Sequence, residues 1–454
     1  MEVSSDSEIQ HASFGSENEN GEIHKEANTS SGNETRIEGL VMDITKLFAS
    51  SHPPFSITGR ICVPDHLRNC EGAEEAYTPQ VISIGPIHHR TSKLLPMEKC
   101  KVLYLECFIN RTNANLKNLV SAVTEMEKDI RYCYAETILS SMDSDHFVKV
   151  ILMDAIFILE LFLREACGGD DTIMADPIAA EPSLFVFVRI DLMVLENQLP
   201  FFVLKKLFEF SFPNDSNSLS LIELSFKYFR IYNLQQMPPE KVNVEILHFT
   251  DLIRTFCLSS PLPGRYRAVT KLLYTATQLQ DAGVRFDLSS KNSVLDIKFD
   301  IKKGVLKMPR LEIYEETITL FRNLIALEQS RYLDDAYFTD YVVFLNFLIE
   351  TTEDMDLLCE KGIVVNYLRD SNTATTSFNN LNYNLIWEFM NSDYVKVCED
   401  LNAFHRKSWH RWKATLRNQY FSSPWRSAST IAAIILLVLT FIQTVCSIIQ
   451  VNPM

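Results

Sequence analysis

The stretch FVKVILMDAIFILELFLREA, Phe147–Ala166, decides how the rest of the chain is read. It is apolar enough to suggest a membrane span, yet Asp154, Glu160 and Arg164 interrupt it. A charge inside the hydrocarbon is expensive, and the apolar run between these charges is too short to cross. The stretch therefore reads as a buried core helix. Glu160 and Arg164 are four apart and can pair along one helical face. Asp154 is then a buried carboxylate that needs a donor. At 454 residues the chain is long enough to bury such a helix in a large core.

The same character returns at SLFVFVRIDLMVLENQLPFFVLKKLFEF, Ser183–Phe210. Pro200 breaks one helix or opens the next, so helices are expected over 183–198 and 200–210, meeting at a kink. Asp191, Glu196, Asn197 and Gln198 cluster before that kink. Their favoured role is to satisfy freed backbone groups, with substrate binding as the competing reading. Upstream, Leu94, Met97, Cys100, Tyr104, Cys107 and Phe108 recur at helical spacing, with Pro96 suited to a first turn. A second helix is expected over 116–134. Downstream, helices are expected over 266–281, 312–329, 340–358 and 394–420. Residues 211–264 look looser. LDIKF at Leu295–Phe299 and VLKMPRL at Val305–Leu311, around Gly304, read as a β-hairpin. The expected fold class is mainly α, with a helical body over 41–400 and a small β element.

Candidate chemistry is sparse. His88 and His89 follow a short strand-like run, 81–84, that Gly85-Pro86 stops. Adjacent residues project differently, and no acidic or Cys ligand follows at a metal spacing, so a loop role is favoured. Asp154, Glu160, Asp191, Glu196, His88 and His89 are the best candidates for an unrecognised active site. No GxSxG, phosphate loop, HExxH or dinucleotide fingerprint is present. No catalytic, cofactor-binding or metal-ligating residue is assigned, and no cofactor is expected. The ten cysteines form no CxxC pair and read as reduced core thiols. A net charge of −15 argues against nucleic acid as a partner.

The two ends differ from the body. Residues 1–40 hold nine acids against Lys25 and Arg36, and are expected to be disordered. They contain no apolar leader, so the sequons at Asn28, Asn33, Asn110 and Asn214 are expected to go unused. At the other end Ile431–Ile449 is a mostly apolar run, with Thr440, Gln443, Thr444 and Ser447 as polar intrusions. Residues 427–450 are expected to form one transmembrane helix, followed by a tail at 451–454. Upstream, 401–426 is basic and aromatic: Trp409, Trp412, Tyr420 and Trp425 alternate with Arg406, Lys407, Arg411, Lys413, Arg417 and Arg426. Such a belt places the body on the cytoplasmic face. A single-pass anchor in the plasma membrane, with the lipid bilayer as a partner, is therefore expected. The small residues Ala428, Ser429, Ala432 and Ala433 raise self-association through the anchor.

Several blocks carry a resemblance. They are YTPQVISIGPIHH (Tyr77–His89), MEKCK (Met97–Lys101), MDAIFILELF (Met153–Phe162), DLMVLENQLPFF (Asp191–Phe202), ATQLQDAGV (Ala276–Val284), RNLIALEQ (Arg322–Gln329) and the stretch from Trp425 into the expected anchor. In this order and spacing the chain resembles the plant family named domain of unknown function 247, from about Ile61 to Ile449. The long acidic N-terminal extension and Ala155, where glycine is common, depart from that pattern. The resemblance implies a mostly helical body and one C-terminal membrane helix. It supplies no catalytic residues, and most members have no assigned activity. Grass members are linked to pollen self-incompatibility as recognition components. The expected function is a membrane-tethered recognition or protein-interaction component, with other proteins as partners. The alternative is an unrecognised enzyme at the membrane.

Overall fold

The computed structural model describes residues 39–42, 61–69, 72–134, 142–167, 176–213, 219–258, 262–267, 271–290, 293–407 and 424–451. The chain divides into two units, Met1–Ile57 and Thr58–Met454, and the elements below all belong to the second. Its N-terminal half runs through α1 (Ala73–Tyr77), α2 (Pro96–Thr112), α3 (Leu116–Tyr132), α4 (Ser144–Cys167), α5 (Pro182–Asp191), α6 (Phe201–Ser211), α7 (Leu221–Tyr228) and α8 (Phe249–Cys257). After β1 (Arg265–Arg267) come α9 (Ala276–Asp281), β2 (Arg285–Leu288), β3 (Lys298–Asp300), β4 (Val305–Met308) and β5 (Leu311–Ile313). The remainder is α10 (Glu315–Arg331), α11 (Tyr337–Leu348), α12 (Thr352–Glu360), β6 (Val364–Asn366), α13 (Ser371–Leu381), β7 (Phe389–Asn391), α14 (Ser392–Arg406) and α15 (Pro424–Val451).

Two helices organise the packing. The apolar stretch that opened the sequence reading is α4, and it is buried on nearly every face. It packs against α2, α3, α6 and α7. Helix α10 has the same role in the C-terminal half, against α1, α8, α11 and α13. The buried apolar side chains of both halves join in one cluster. The helix ends follow local chemistry. Pro96 opens α2; Ser220 and Glu223 form a capping box on α7, as Thr351 and Asp354 do on α12.

The β element is small but real. Strand β4 pairs antiparallel with β3 and parallel with β2. The β3–β4 hairpin is the one expected from the alternating pattern. Gly304 turns it at φ 64°, where a Cβ would meet the Phe404 ring at 2.7 Å. Strands β1 and β7 pair antiparallel, and β5 and β6 pair parallel.

Several expected elements differ. Residues 192–200 are not helical, so the 183–198 helix ends at Asp191. The 340–358 helix is two, because the Thr351 cap starts a new one. In place of a helix from 266, residues 265–267 pair as β1, and only Ala276–Asp281 is helical. The looser region holds α7 and α8. Helix α14 ends at Arg406, and the remainder of the expected 394–420 helix lies outside the described residues. The expectations for 1–38 and 452–454 also lie outside them.

The largest correction concerns the C-terminus. Pro424–Val451 is helical, and its continuous run of described side chains spans 428–444. Among the described residues no helix is long and apolar enough to cross a membrane. A span needs roughly 20 consecutive apolar residues. The described run includes Ser429, Thr440, Gln443 and Thr444. Thr440 and Thr444 donate to the carbonyls of Leu436 and Thr440, each at 2.8 Å. The transmembrane helix at 427–450, the bilayer as partner, the plasma-membrane anchor and self-association through Ala428 and Ala432 are therefore not supported. Of 401–426, for which a juxtamembrane role is expected, residues 408–423 lie outside the described residues.

Candidate functional site

The two polar-rich blocks that flank α5 and precede α2 meet in the core. Asp191, the last residue of α5, is fully buried. Its Oδ1 accepts the amide hydrogen of Gln80 at 2.7 Å. Its Oδ2 accepts those of Val81 and Ile82 at 2.7 and 2.8 Å. The Asn197 side chain continues the pattern, accepting from the Ile84 amide at 2.6 Å and donating to the Ile82 carbonyl at 3.1 Å. Asp154 of α4 completes it, accepting from the Gly85 amide at 2.8 Å. Lys101 of α2 donates to the Ser83 carbonyl at 2.7 Å and pairs with Asp154 Oδ1 at 2.6 Å. Side chains from α2, α4 and the α5–α6 linker therefore take over the hydrogen bonding that a neighbouring strand would supply to 80–85.

Close approach fixes the end of this lattice. Gly85 has φ 75°, and a Cβ there would lie 2.9 Å from the Gln198 carbonyl oxygen. Tyr134 donates to that same oxygen at 2.8 Å. Gln198 also donates to the carbonyls of Leu192 and Val194 and accepts from the Phe249 amide. The linker 192–200 is thus held without being helical. The expected backbone-satisfying role for Asp191, Asn197 and Gln198 holds, but the groups they satisfy lie largely on distant segments.

Of the other candidates Glu196 and Glu160 are similarly engaged, whereas His88 Nε2 and His89 Nδ1 are buried without a hydrogen-bond partner among the described residues. Glu196 accepts from the Val63 amide at 2.9 Å and pairs with Arg68. Glu160, fully buried, is gripped by Arg111 through two bonds of 3.0 Å and by Arg164 at 2.9 Å. His89 sets its ring edge-on to His146 at 5.0 Å. His88 is half-buried; burial lowers its pKa, against the carboxylates of Glu196 and Glu74 and the Tyr77 backbone, which raise it. Burial pushes Asp191 up to about 6, against the three amides that pull it down. Lys101 stays charged because Asp154 and Glu98 outweigh its burial. Among the described residues, no group of three or more His, Cys, Asp or Glu could hold a metal ion.

The RNLIALEQ block behaves likewise. Asn323 accepts from the Leu195 amide and donates to the Ala76 carbonyl, each at 2.8 Å. Glu328 accepts from the Phe338 and Thr339 amides and from Arg254. Gln329 exchanges two bonds with the Ile386 backbone. Arg322 also lines a cleft of about 640 Å³. The cleft opens between α1, the end of α5, the first half of α10 and one face of α13. Glu75, Glu315 and Glu316 line it, and Asn372, Thr376 and Asn380 recur at helical spacing along the α13 wall. None of the six candidates named from sequence lines it.

A family model for a plant protein of unknown function, DUF247, matches residues 61–439. The chain belongs to the DUF247 family. UPF0481 protein At3g47200 of Arabidopsis thaliana is 28% identical over 404 residues, covering 83% of each chain. The putative UPF0481 protein At3g02645 of the same plant is 23% identical over 467 residues, covering 81% of this chain and 86% of its own. No solved structure matches. The blocks that carried the DUF247 resemblance are largely those that interlock here. Tyr77–His89 supplies the amides, while Met97–Lys101, Met153–Phe162 and Asp191–Phe202 supply the groups that bind them. The cleft escaped the sequence reading, since its lining comes from α1, α5, α10 and α13, and a helical face of Asn, Thr and Ser looks like any solvated surface.

Proposed function

We propose that this chain is a non-catalytic recognition protein whose cleft, walled by α1, α10 and α13, holds an extended basic segment of another protein. The observation that carries the reading is the lining of that cleft. Three carboxylates, Glu75, Glu315 and Glu316, face one guanidinium, Arg322. A cationic segment is therefore favoured over an acidic one. The hydroxyls and amides of Thr319, Asn372, Thr376 and Asn380 offer donors and acceptors suited to a peptide main chain. Beside Glu315, the exposed rings of Tyr314 and Tyr367 stack with centroids 4.3 Å apart. Such faces attract Lys and Arg side chains. The net charge of −15 steers basic partners from a distance. The non-catalytic reading rests on the acids, whose oxygens are committed to backbone amides and Arg side chains. Membrane tethering forms no part of it.

Fluorescence anisotropy of labelled Lys-rich and Glu-rich peptides of equal length, titrated with the full chain, tests this. The Lys-rich peptide is expected to bind, to weaken as salt rises, and to be lost on Glu315→Lys with Glu316→Lys at an unchanged melting temperature. Preference for the Glu-rich peptide, or indifference to the double substitution, overturns the reading.

A further inference from the structure

A second, smaller pocket lies on another side of α13. Its volume is about 340 Å³, and its lining includes Tyr274, Thr275, Asn346, Phe347, Glu350 and Asn379. The amides here are ordered by each other. Asn346 Nδ2 donates to Asn379 Oδ1 at 2.9 Å, and Asn382 Nδ2 donates to Asn346 Oδ1 at 3.1 Å. Asn379 Nδ2 donates in turn to the Glu350 carbonyl at 3.3 Å. This chain fixes which end of each amide is oxygen and which is nitrogen. An amide carries two donor hydrogens and two acceptor sites. In these bonds Asn346 and Asn379 each use one of each, so each keeps a donor and an acceptor in a set direction. Behind them Asn382 Oδ1 is buried without a partner.

The other walls carry two aromatic side chains beside Leu272, Leu273 and Thr275. Phe347 is held edge-on against Trp387 at 5.9 Å, and Tyr274 is stacked on His405 at 3.4 Å. Among the described residues no Lys or Arg lines the pocket, and Glu350 is the one charged side chain in its lining. A phosphate or carboxylate would meet repulsion from Glu350. A lone carboxylate is too few ligands for a bound cation. The volume is at the low end of small-molecule sites. Oriented amides, a carboxylate acceptor and aromatic faces together match a compact neutral molecule with hydroxyls on its rim and C–H on its faces.

We propose that this pocket binds a single neutral sugar ring, free or as the end of a glycan, with Asn346, Asn379 and Glu350 reading its hydroxyls and Phe347 covering a C–H face. The test is a ligand-observed NMR titration of the full chain with neutral hexoses and pentoses, their methyl glycosides, and a sugar phosphate as control. At least one neutral sugar is expected to bind with a Kd of about 1 mM, with the phosphate excluded. Equal binding of the methyl glycoside indicates a glycan end; its exclusion indicates the free sugar. Asn379→Ala and Glu350→Ala are each expected to weaken binding about tenfold, the loss for a partner left unpaired. Glu350 is exposed, so its variant reports even if Asn379→Ala fails to fold. The Glu315→Lys, Glu316→Lys chain is expected to bind the sugar normally, which separates this site from the cleft. No saturable binding by any neutral sugar, or binding unchanged in both pocket variants, overturns the proposal.

Discussion

Lys101 Nζ and Asp154 Oδ1 meet at 2.6 Å with both side chains shielded from solvent, at 0% and 1% exposure. The pair joins α2 to α4 and, through the Gly85 amide and the Ser83 carbonyl, joins both to the 80–85 segment. Lys101→Met leaves Asp154 as an uncompensated buried charge and is expected to cost about 3–5 kcal/mol. Urea denaturation measures it. Adding Asp154→Asn should recover part of the loss, because the stranded charge is then gone. A single-variant loss below about 1 kcal/mol would rank the pair with surface ion pairs instead.

Asp191 answers three amides, and its removal has a local signature. Asp191→Ala orphans the Gln80, Val81 and Ile82 amides. Each buried unpaired donor costs about 1–3 kcal/mol before water enters. Hydrogen–deuterium exchange should show protection lost first at 80–82, with α3 still protected. Uniform loss across the body would mean that Asp191 holds the global fold and not this segment alone.

Two glycines separate backbone strain from crowding. Gly72 and Gly85 have φ of 70° and 75°, so alanine carries a left-handed cost of about 1–2 kcal/mol at either. A Cβ at Gly72 meets nothing, whereas at Gly85 it meets the Gln198 carbonyl oxygen at 2.9 Å. Gly85→Ala should therefore lower the melting temperature clearly more than Gly72→Ala. Equal shifts would show that the 192–200 linker yields freely.

His248 gives the fold an acid-sensitive cap. It precedes α8 and accepts the Asp251 amide hydrogen on Nδ1 at 3.3 Å. Burial lowers its pKa to about 4, against the nearby Asp251 carboxylate, which raises it. The folded chain thus resists a proton that the unfolded chain takes up below about 6.5. This contribution is complete above that pH and is lost as pH falls from about 6.5 to about 4, by about 3 kcal/mol. Asp154, Asp191 and Asp340, each raised to about 6, titrate in the same window with the opposite sign. The difference between the parent chain and His248→Asn, followed by denaturation across that range, isolates the histidine. A constant difference would show that His248 stays neutral in both states.

Much of the helical frame was legible because it is local. The spacing from Leu94 to Phe108 and the proline at 96 announce α2, and the alternation before Gly304 announces the hairpin. The capping box Ser220–Glu223 was equally readable and marks the start of α7, in a region whose loops drew attention away from it. What one sequence does not contain is the address of a long-range bond. The DLMVLENQLP block reads as helix followed by a kink, because nothing near it says that its acceptors face amides some hundred positions upstream. Those bonds replace the local ones and end α5 at Asp191. At the C-terminus, an uncharged apolar run behind a basic, aromatic belt suggests a span that the described residues do not support.

The amide run at 80–85 lies between Pro79 and Pro86. Neither proline has an N–H, and neither position is asked for one; Gln80, Val81, Ile82, Ile84 and Gly85 all are. Acceptors that address the main chain are indifferent to which side chain it carries, Gly85 aside. Burial sets the side chains at Ile82, Ser83 and Ile84, while at the donor sites the main chain excludes one residue type, proline. A proline scan across 80–85 should fail at these five donor sites, where Asp154, Asp191 and Asn197 accept from the main chain.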